Sequence, residues 1–384
     1  MKITCDREKL LAAFQTAAMV APSRSPKAVL QNVKVVAEPD RTILTATDME
    51  VGIQIEVEDI TVEVPGMALL SVSGFGSILR ENTDERLRIE ADGSGIQVFG
   101  DRSNFRILSG DPNSFPTVNQ FTESAYHEVP GRLMKELIRR TLFATDAESS
   151  RYALGGVLLE MEPEHIVAVA TDGRRLAKME GAANSVDGHD NRDVTTIIPS
   201  KSMQLIDRSL VDLDENIKIT ASQGNDILVQ TRLATISSRL VEGRFPRWRD
   251  VLPDRSESGI SIDMTVGPLY SALRQASIVA STESRGIDFV FGEGSLVMTG
   301  VTADVGESHV ELPISYDGDP IKLCLDYRYV SDFLRVLDAE RTFTLNIVDG
   351  DNAALFQTDD GYGYVVMPLA RDKTEPAAAA ASAS

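Results

Sequence analysis

One pattern occurs three times in this chain, and that repetition limits the fold more than any other feature. The run ILTATDMEVGIQIEVED from Ile43 resembles IVAVATDGRRLAKME from Ile166, and SLVMTGVTADVGESHVEL from Ser295 is a weaker third copy. The copies lie about 125–130 residues apart, which is the size of a domain. A chain of 384 residues is too long for one ordinary core and suits two or three. Each copy has a strand, a Thr-containing turn and a second strand of period two, as in Val51, Ile53, Ile55 and Val57.

The middle copy is the most informative. Val167 and Val169 alternate into a tight Thr171–Asp172–Gly173 turn, and Leu176 and Met179 lead out. Asp-Gly marks a turn because glycine tolerates positive φ and aspartate bonds its own backbone. Arg174 and Arg175 follow beside Leu176, where two guanidinium groups next to an apolar side chain would rim a groove for an extended peptide. The plain alternative is a surface hairpin with its charges in solvent.

Around each copy the same elements recur. Upstream, spacings of three and four predict helices over 7–20 (Leu10, Leu11, Phe14, Ala17, Ala18), 132–143 (Leu133, Met134, Leu137, Ile138, Leu142) and 267–280 (Leu269, Leu273, Ala276). Downstream, helices are predicted over 73–81, 200–210 and 326–337, with Ser73, Ser200 and Asp326 as N-caps. Short alternating strands follow at 87–90 and 96–99, 217–220 and 227–231, and 343–348 and 354–358. The unit reads helix, strands, helix, strands, an α+β arrangement. Linkers fall near 119–127 and 253–259, and the alanine-rich end is low-complexity and expected to be disordered.

Charge adds a second constraint. The net charge is −20, which argues against a simple nucleic-acid binder. Yet basic residues recur on helix after helix: Arg7 and Lys9, then Arg132, Lys135, Arg139 and Arg140, then Lys201 and Arg208, Arg274, and Arg328 and Arg335. Such a stripe is commonly a solvated face, but its segregation in an acidic chain is what a duplex-facing surface needs. Contacts of that kind go to phosphates and are independent of sequence.

Catalytic signatures are missing from the sequence. The four histidines have no metal-ligand spacing, and no GxSxG, Walker A or HExxH occurs. Gly361–Tyr362–Gly363 lacks the third glycine of a dinucleotide fingerprint, and Asp349, Asp351 and Asn352 do not fit a calcium loop. No metal or cofactor is expected, and the reading is non-catalytic. Cys5 and Cys324 lie far apart without CxxC spacing, no apolar run reaches membrane-spanning length, and the charged N-terminus is no secretory signal. A reduced, cytoplasmic protein is expected.

RYALGG from Arg151, VATDGRRLA, EGRFPRWRDVLP from Glu242 and YVVMPLAR from Tyr364 stand in one order across the repeats. With MKITCDREKLL at the start and PSRSPKAVLQNV around Arg24, they resemble the bacterial DNA polymerase III β subunit family, the sliding clamps, over the whole chain to Arg371. The resemblance implies three tandem copies of the DNA clamp fold, two helices packed on antiparallel sheets in each. Domain limits would be 1–122, 123–254 and 255–372, with residues 373–384 as a tail. It implies a head-to-tail homodimeric ring with helices lining a hole for duplex DNA, serving as processivity factor of the replicative polymerase. It implies as partners the polymerase III catalytic subunit, the clamp loader, and other polymerases and repair proteins bearing short apolar peptides.

By motif match, the family's peptide pocket would comprise Arg151, Leu154, Thr171, Gly173, Arg174, Arg175, Leu176, Pro246, Val251, Val365 and Met367. Leu154, Leu176, Val251, Val365 and Met367 would floor it for a leucine or phenylalanine anchor. Ala153, Arg174 and Asp250 depart from the family pattern and bear on partner preference. The resemblance places the dimer seam at Phe105 and Ile107 on an edge strand meeting Ile278 and Val279 of the second subunit; otherwise both pairs belong to intradomain cores. DNA contact would fall to Arg24, Arg139, Lys201 and Arg208. Two other classes compete: a repeat-built interaction scaffold that never encircles DNA, and a hydrolase with metal on its acidic loops.

Overall fold

A computed structural model describes residues 1–93, 95–146, 152–190, 194–221, 225–252, 259–280 and 285–370. The C-terminal tail, Arg151 and most of the second predicted linker lie outside the described residues. In each copy a short strand precedes the first helix: Lys2–Asp6, Tyr126–Pro130 and Ile260–Thr265. Sequence reading passed over these strands because their five or six residues mix charges with apolar side chains. The first helices follow at once: α1 (Arg7–Ala18), α3 (Gly131–Thr141) and α5 (Val266–Ala276), paired in chain order with α2 (Gly74–Glu81), α4 (Ser200–Ser209) and α6 (Tyr327–Arg335).

The first helix of each copy ends earlier than periodicity suggests, and α5 passes into a 3-10 turn at Ser277–Val279. Capping also differs. Asp326 caps α6 by accepting from Arg328 N at 2.9 Å, as expected, and Asp6 does the same for α1 from Lys9 N. Ser73 and Ser200 cap nothing. Ser200 Oγ instead donates to Gly155 O at 2.7 Å, and at the start of α2 it is Ser71 Oγ that accepts from Phe75 N.

The chain forms two compact units. The first is Met1–Ile138, Thr145–Ala168 and Gly181–Phe245; the second takes Arg139–Ala144, Val169–Glu180 and the chain from Pro246. In the first unit, nine strands form one sheet that joins copies one and two. Its central pairing sets Ala234–Arg239 antiparallel to Val51–Glu56, with Ile236 opposite Ile53. That pairing makes copies one and two a single compact unit on either side of residues 119–127. A five-stranded sheet ends on Asn104–Ile107, and Phe14 meets Phe75 edge to face at 5.2 Å to join α1 to α2.

In the second unit, the middle copy's hairpin strand Arg175–Ala182 pairs with Gly363–Val366, which continues through Ala354–Gln357 and Thr342–Ile347 to Ile260–Thr265. A four-stranded sheet begins at Gly306–Pro313. The core is aromatic: Phe333 of α6 stacks on Tyr362 and Tyr364 at 5.4 and 5.5 Å and meets Phe343 edge-on at 5.2 Å.

Two of the four histidines, His127 and His189, form a buried pair in the first unit. Their Nδ1 atoms are 2.7 Å apart. His127 Nε2 must donate, because its partner at 2.8 Å is the Glu162 carbonyl. His189 Nε2 must accept, from Ala221 N at 3.4 Å, so its Nδ1–H donates to His127 Nδ1. Both rings are thus neutral, and a proton on either breaks a hydrogen bond. Burial, with His127 second, holds His189 below its usual 6.5, against the pull of Asp190. The unfolded chain therefore binds the proton at higher pH than the folded one. The contribution of this pair to stability is fully present above 6.5 and is lost as pH falls through the lower folded value. The thermal midpoint should drop between about pH 7.5 and about pH 5.5, and His189→Gln should flatten that part of the curve. A midpoint with the same slope in both proteins would contradict this account.

Candidate peptide-binding hairpin and strand edges

The turn at Thr171–Arg175 is built from its own side chains. Thr171 Oγ1 donates to Arg175 O at 2.6 Å and accepts from Gly173 N at 3.0 Å. Asp172 Oδ1 accepts from Arg174 N and Arg175 N at 2.9 and 3.0 Å. Gly173 sits at φ 89°, a left-handed conformation that costs a residue with a Cβ about 1 kcal/mol or more. The closing strand then locks the hairpin: Leu176 lies opposite Val365, and Met367 N donates to Arg174 O at 2.9 Å. Residues directly opposite share a face. Arg174, Leu176, Val365 and Met367 therefore lie on one side of the strand pair. Leu176 and Val365 are buried, while Arg174 is exposed and Met367 is 43% exposed.

Arg175 departs from expectation. It alternates to the opposite face, and its side chain is only 10% exposed. It does not stand beside Arg174 as a second rim cation. Its guanidinium binds Asp172 Oδ2 at 3.0 Å, Asp332 Oδ2 of α6 at 2.6 Å and Phe143 O at 2.6 Å, and lies 4.5 Å over the Tyr329 ring. Burial opposes its charge, but Tyr364, Asp332 and Asp172 outweigh that and raise its pKa. Nearby, burial pushes the Asp326 carboxyl up to about 6, against the pull of Arg285 and Arg175. Asp172 thus serves both faces, one oxygen holding the turn and the other holding Arg175. Sequence reading missed Asp332, Tyr329 and Phe143 because nothing local marks partners so distant in the chain.

The other pocket candidates fall as follows. Pro246 is exposed, and Val251 is 41% exposed on the 3-10 turn Trp248–Val251, whose Trp248 is buried. Leu154 is buried and belongs to the first unit.

The basic residues are less free than composition suggests. Arg140, read as duplex-facing, is buried with its side chain 8% exposed, 2.8 Å from Asp360. It lies under the hairpin's aromatic neighbour Tyr362, 5.3 Å from the ring, because its position on α3 faces the core. Arg7 donates to Leu79 O and Asp84 O. Arg132 pairs with Asp214, Lys135 with Asp207 and Arg328 with Asp326. Of the four residues singled out for DNA, all are exposed, and Lys201 pairs with Asp48 at 2.8 Å. Arg24 and Arg208 have no ion-pair partner among the described residues.

Phe105 and Ile107 lie on Asn104–Ile107, an outer strand of its sheet, with Phe105 37% exposed. Ile278 is 77% exposed, and Val279 is held beside Ser295–Thr302 by Thr302 Oγ1, which donates to Val279 O. Neither Phe105 nor Ile278 is core.

Removing the buried Arg175 cation leaves Asp172 and Asp332 without their shared partner. Arg175→Met should lower the unfolding free energy by about 3 kcal/mol, the scale for breaking a buried ion pair, in urea titrations. A loss below about 1 kcal/mol would mean that the aromatic packing alone holds the hairpin.

Comparison with known proteins covers nearly the whole chain. Residues 1–119 match the N-terminal domain of the DNA polymerase III beta subunit, residues 128–247 its central domain and residues 249–370 its C-terminal domain. The beta sliding clamp of Pseudomonas putida KT2440 is 30% identical over 372 residues, covering 96% of this chain and all of the relative. That of Escherichia coli K12 is 27% identical over 375 residues, covering 96% and 100%. The crystal structure of the Pseudomonas aeruginosa sliding clamp bound to griselimycin matches with a TM-score of 0.85 at 28% identity, covering 97% of this chain and 100% of that one. The Bacillus subtilis clamp, at 22% identity, shares the fold with a TM-score of 0.86 over 97% of this chain and 100% of its own. The chain belongs to the DNA polymerase III beta subunit family, the beta sliding clamps, which are non-catalytic processivity subunits of that polymerase.

Proposed function

We propose that two copies of this chain close head to tail into a ring around duplex DNA and tether the replication machinery to it. The observation that carries this reading is a pattern of strand pairing. The hairpin of copy one pairs with the closing strand of copy two, Val51–Glu56 with Ala234–Arg239. The hairpin of copy two pairs with the closing strand of copy three, Arg175–Ala182 with Gly363–Val366. Two equivalent edges are left over, the closing strand of copy one at Asn104–Ile107 and the hairpin strand of copy three at Gly306–Pro313. They are different surfaces, so their pairing is heterologous, and two copies close the circuit. Phe105, Ile107, Ile278 and Val279 lie at or beside these edges and would form the apolar part of the seam.

In the ring, Arg24, Arg139, Lys201 and Arg208 face phosphates from the helix side, and the hold is topological and independent of sequence. The three domains run over 1–122, 123–254 and 255–372. The face carrying Arg174, Leu176, Val365 and Met367 takes short apolar peptides of the polymerase III catalytic subunit, the clamp loader, and other polymerases and repair proteins, and the resemblance adds Arg151, Leu154, Thr171, Gly173, Pro246 and Val251 to the residues that serve them. Arg175 belongs to this set through the turn that it holds. The work is done in the cytoplasm, where replication takes place.

Loaded on a nicked circular plasmid, the protein should stay bound through gel filtration and be lost when the circle is cut. Equal retention on linear DNA would refute encirclement. Leu176→Ala with Met367→Ala should weaken binding of an apolar peptide by about 2–4 kcal/mol in calorimetry while the dimer persists. Unchanged affinity would place the peptide elsewhere.

A further inference from the structure

Copy one carries a second version of the hairpin-and-strand pair, built on the same hydrogen bonds. Thr47 Oγ1 donates to Val51 O at 2.8 Å and accepts from Met49 N at 3.0 Å, as Thr171 does with Arg175 O and Gly173 N. Asp48 Oδ1 accepts from Glu50 N and Val51 N at 3.0 and 2.8 Å, matching Asp172. Met49, at φ 81°, stands where Gly173 has φ 89°. The next copy's strand closes both hairpins: Arg239 N donates to Glu50 O at 3.0 Å as Met367 N does to Arg174 O at 2.9 Å. This register makes Gly52 and Ser237 the counterparts of Leu176 and Val365, and Glu50 and Arg239 those of Arg174 and Met367.

What lies over the strands differs. Where the second hairpin presents two apolar side chains, the first presents bare backbone and a hydroxyl. The chain's own connector takes the space. A Cβ on Gly52 would lie 2.5 Å from Val118 Cγ1 and 2.9 Å from Ser237 Oγ, closer than real side chains approach. Val118 therefore rests on the Gly52 backbone, in volume that a leucine would fill, and leaves no apolar floor for an outside side chain. Both connectors enter with a Phe-Pro pair, Phe115–Pro116 and Phe245–Pro246, with each phenylalanine buried. A cavity of 220 Å³ remains, and Thr117, Val118, Asn119, Met49, Glu50 and Arg239 are among the residues that line it. Glu50 and Arg239 in place of Arg174 and Met367 also leave the rim an opposed pair of charges instead of a lone cation.

We propose that the junction of copies one and two is a peptide groove occupied by the chain's own residues 115–119, with Gly52 as the residue that admits them. Each chain then offers one peptide site instead of two. This rests on the reading of the Leu176–Val365 face as a peptide site, and the test separates the two claims.

In a Cys324→Ser background, Val118→Cys should react slowly with a maleimide, and adding Gly52→Leu should raise the rate at least tenfold by expelling the connector. Cys5 stays silent because it is buried, with its thiol pushed up to about 12. An unchanged rate overturns the proposal, whatever the peptide site does. The second arm uses a pentapeptide ending in Leu-Phe and calorimetry. A chain disabled by Leu176→Ala and Met367→Ala receives Glu50→Arg, Gly52→Leu, Val118→Gly, Ser237→Val and Arg239→Met. It should regain binding to within tenfold of the unmodified chain. A folded variant that fails to bind while the unmodified chain binds overturns the proposal. If the unmodified chain ignores the peptide, the reading of the Leu176–Val365 face fails alone, and the alkylation ratio still decides self-occupancy.

Discussion

Antiparallel pairing between the hairpin of one copy and the closing strand of the next sets everything else in this molecule. The pairing of Val51–Glu56 with Ala234–Arg239 fuses two copies into one nine-stranded sheet. That of Arg175–Ala182 with Gly363–Val366 draws the middle copy's hairpin into the second compact unit. Backbone groups buried in a sheet must be paired, so this coupling is not optional once the strands are apolar. It also fixes which side chains meet, because a one-residue slip would send Leu176 and Val365 to opposite faces. The exposed groups of the candidate peptide site are thus a by-product of register.

The turn that starts each of these two pairings shows how a single sequence signal divides into structure and function. The Thr-Asp pair supplies the same four side-chain bonds in both copies, so it is a structural device. What distinguishes the copies is the next few residues. Glycine occupies the left-handed position in one and methionine does so in the other. Arg175 ties one turn to α6 through Asp332, where copy one has the buried Val51. A buried cation shared by two carboxylates resists movement, because separating it leaves charge unpaired in a poorly solvated place. The hairpin bearing the exposed Arg174 is the one braced in this way.

Much of this was legible in the sequence, and the reasons are local. Periodicity found the first helix of each copy because each buries one face, as α1 does through Leu10, Phe14 and Ala17. The Asp-Gly turn announced its own hairpin. The leading strands escaped notice because Lys2–Asp6 and its counterparts are short and interrupt their apolar residues with polar or charged ones, and only their sheet partners make them strands. Ser73 and Ser200 have the chemistry of caps, but the backbone entering α2 and α4 offers them no donor. Arg140 and Arg175 were misread for a shared reason: a sequence shows that a residue is charged but not that Asp360 or Asp332, far along the chain, is waiting to bury it. Pairing at a distance is the one kind of information that local pattern does not carry.

The same pairing bears on how an acidic chain would hold DNA. Most of the helix cations already have carboxylate neighbours, and Lys201 with Asp48 is typical, an exposed lysine on a partly covered aspartate. Exposed pairs of this kind contribute about 0–1 kcal/mol, so a passing phosphate can displace the carboxylate at little cost. The exchange returns little as well, since one ion pair replaces another. Each contact is then individually weak and rapidly exchanged, and the surplus of acid disfavours any tight embrace of the backbone. A protein that held DNA by affinity would need those carboxylates removed. One that holds it by enclosure, as proposed for this chain, needs only that the cations be present and that no single contact last.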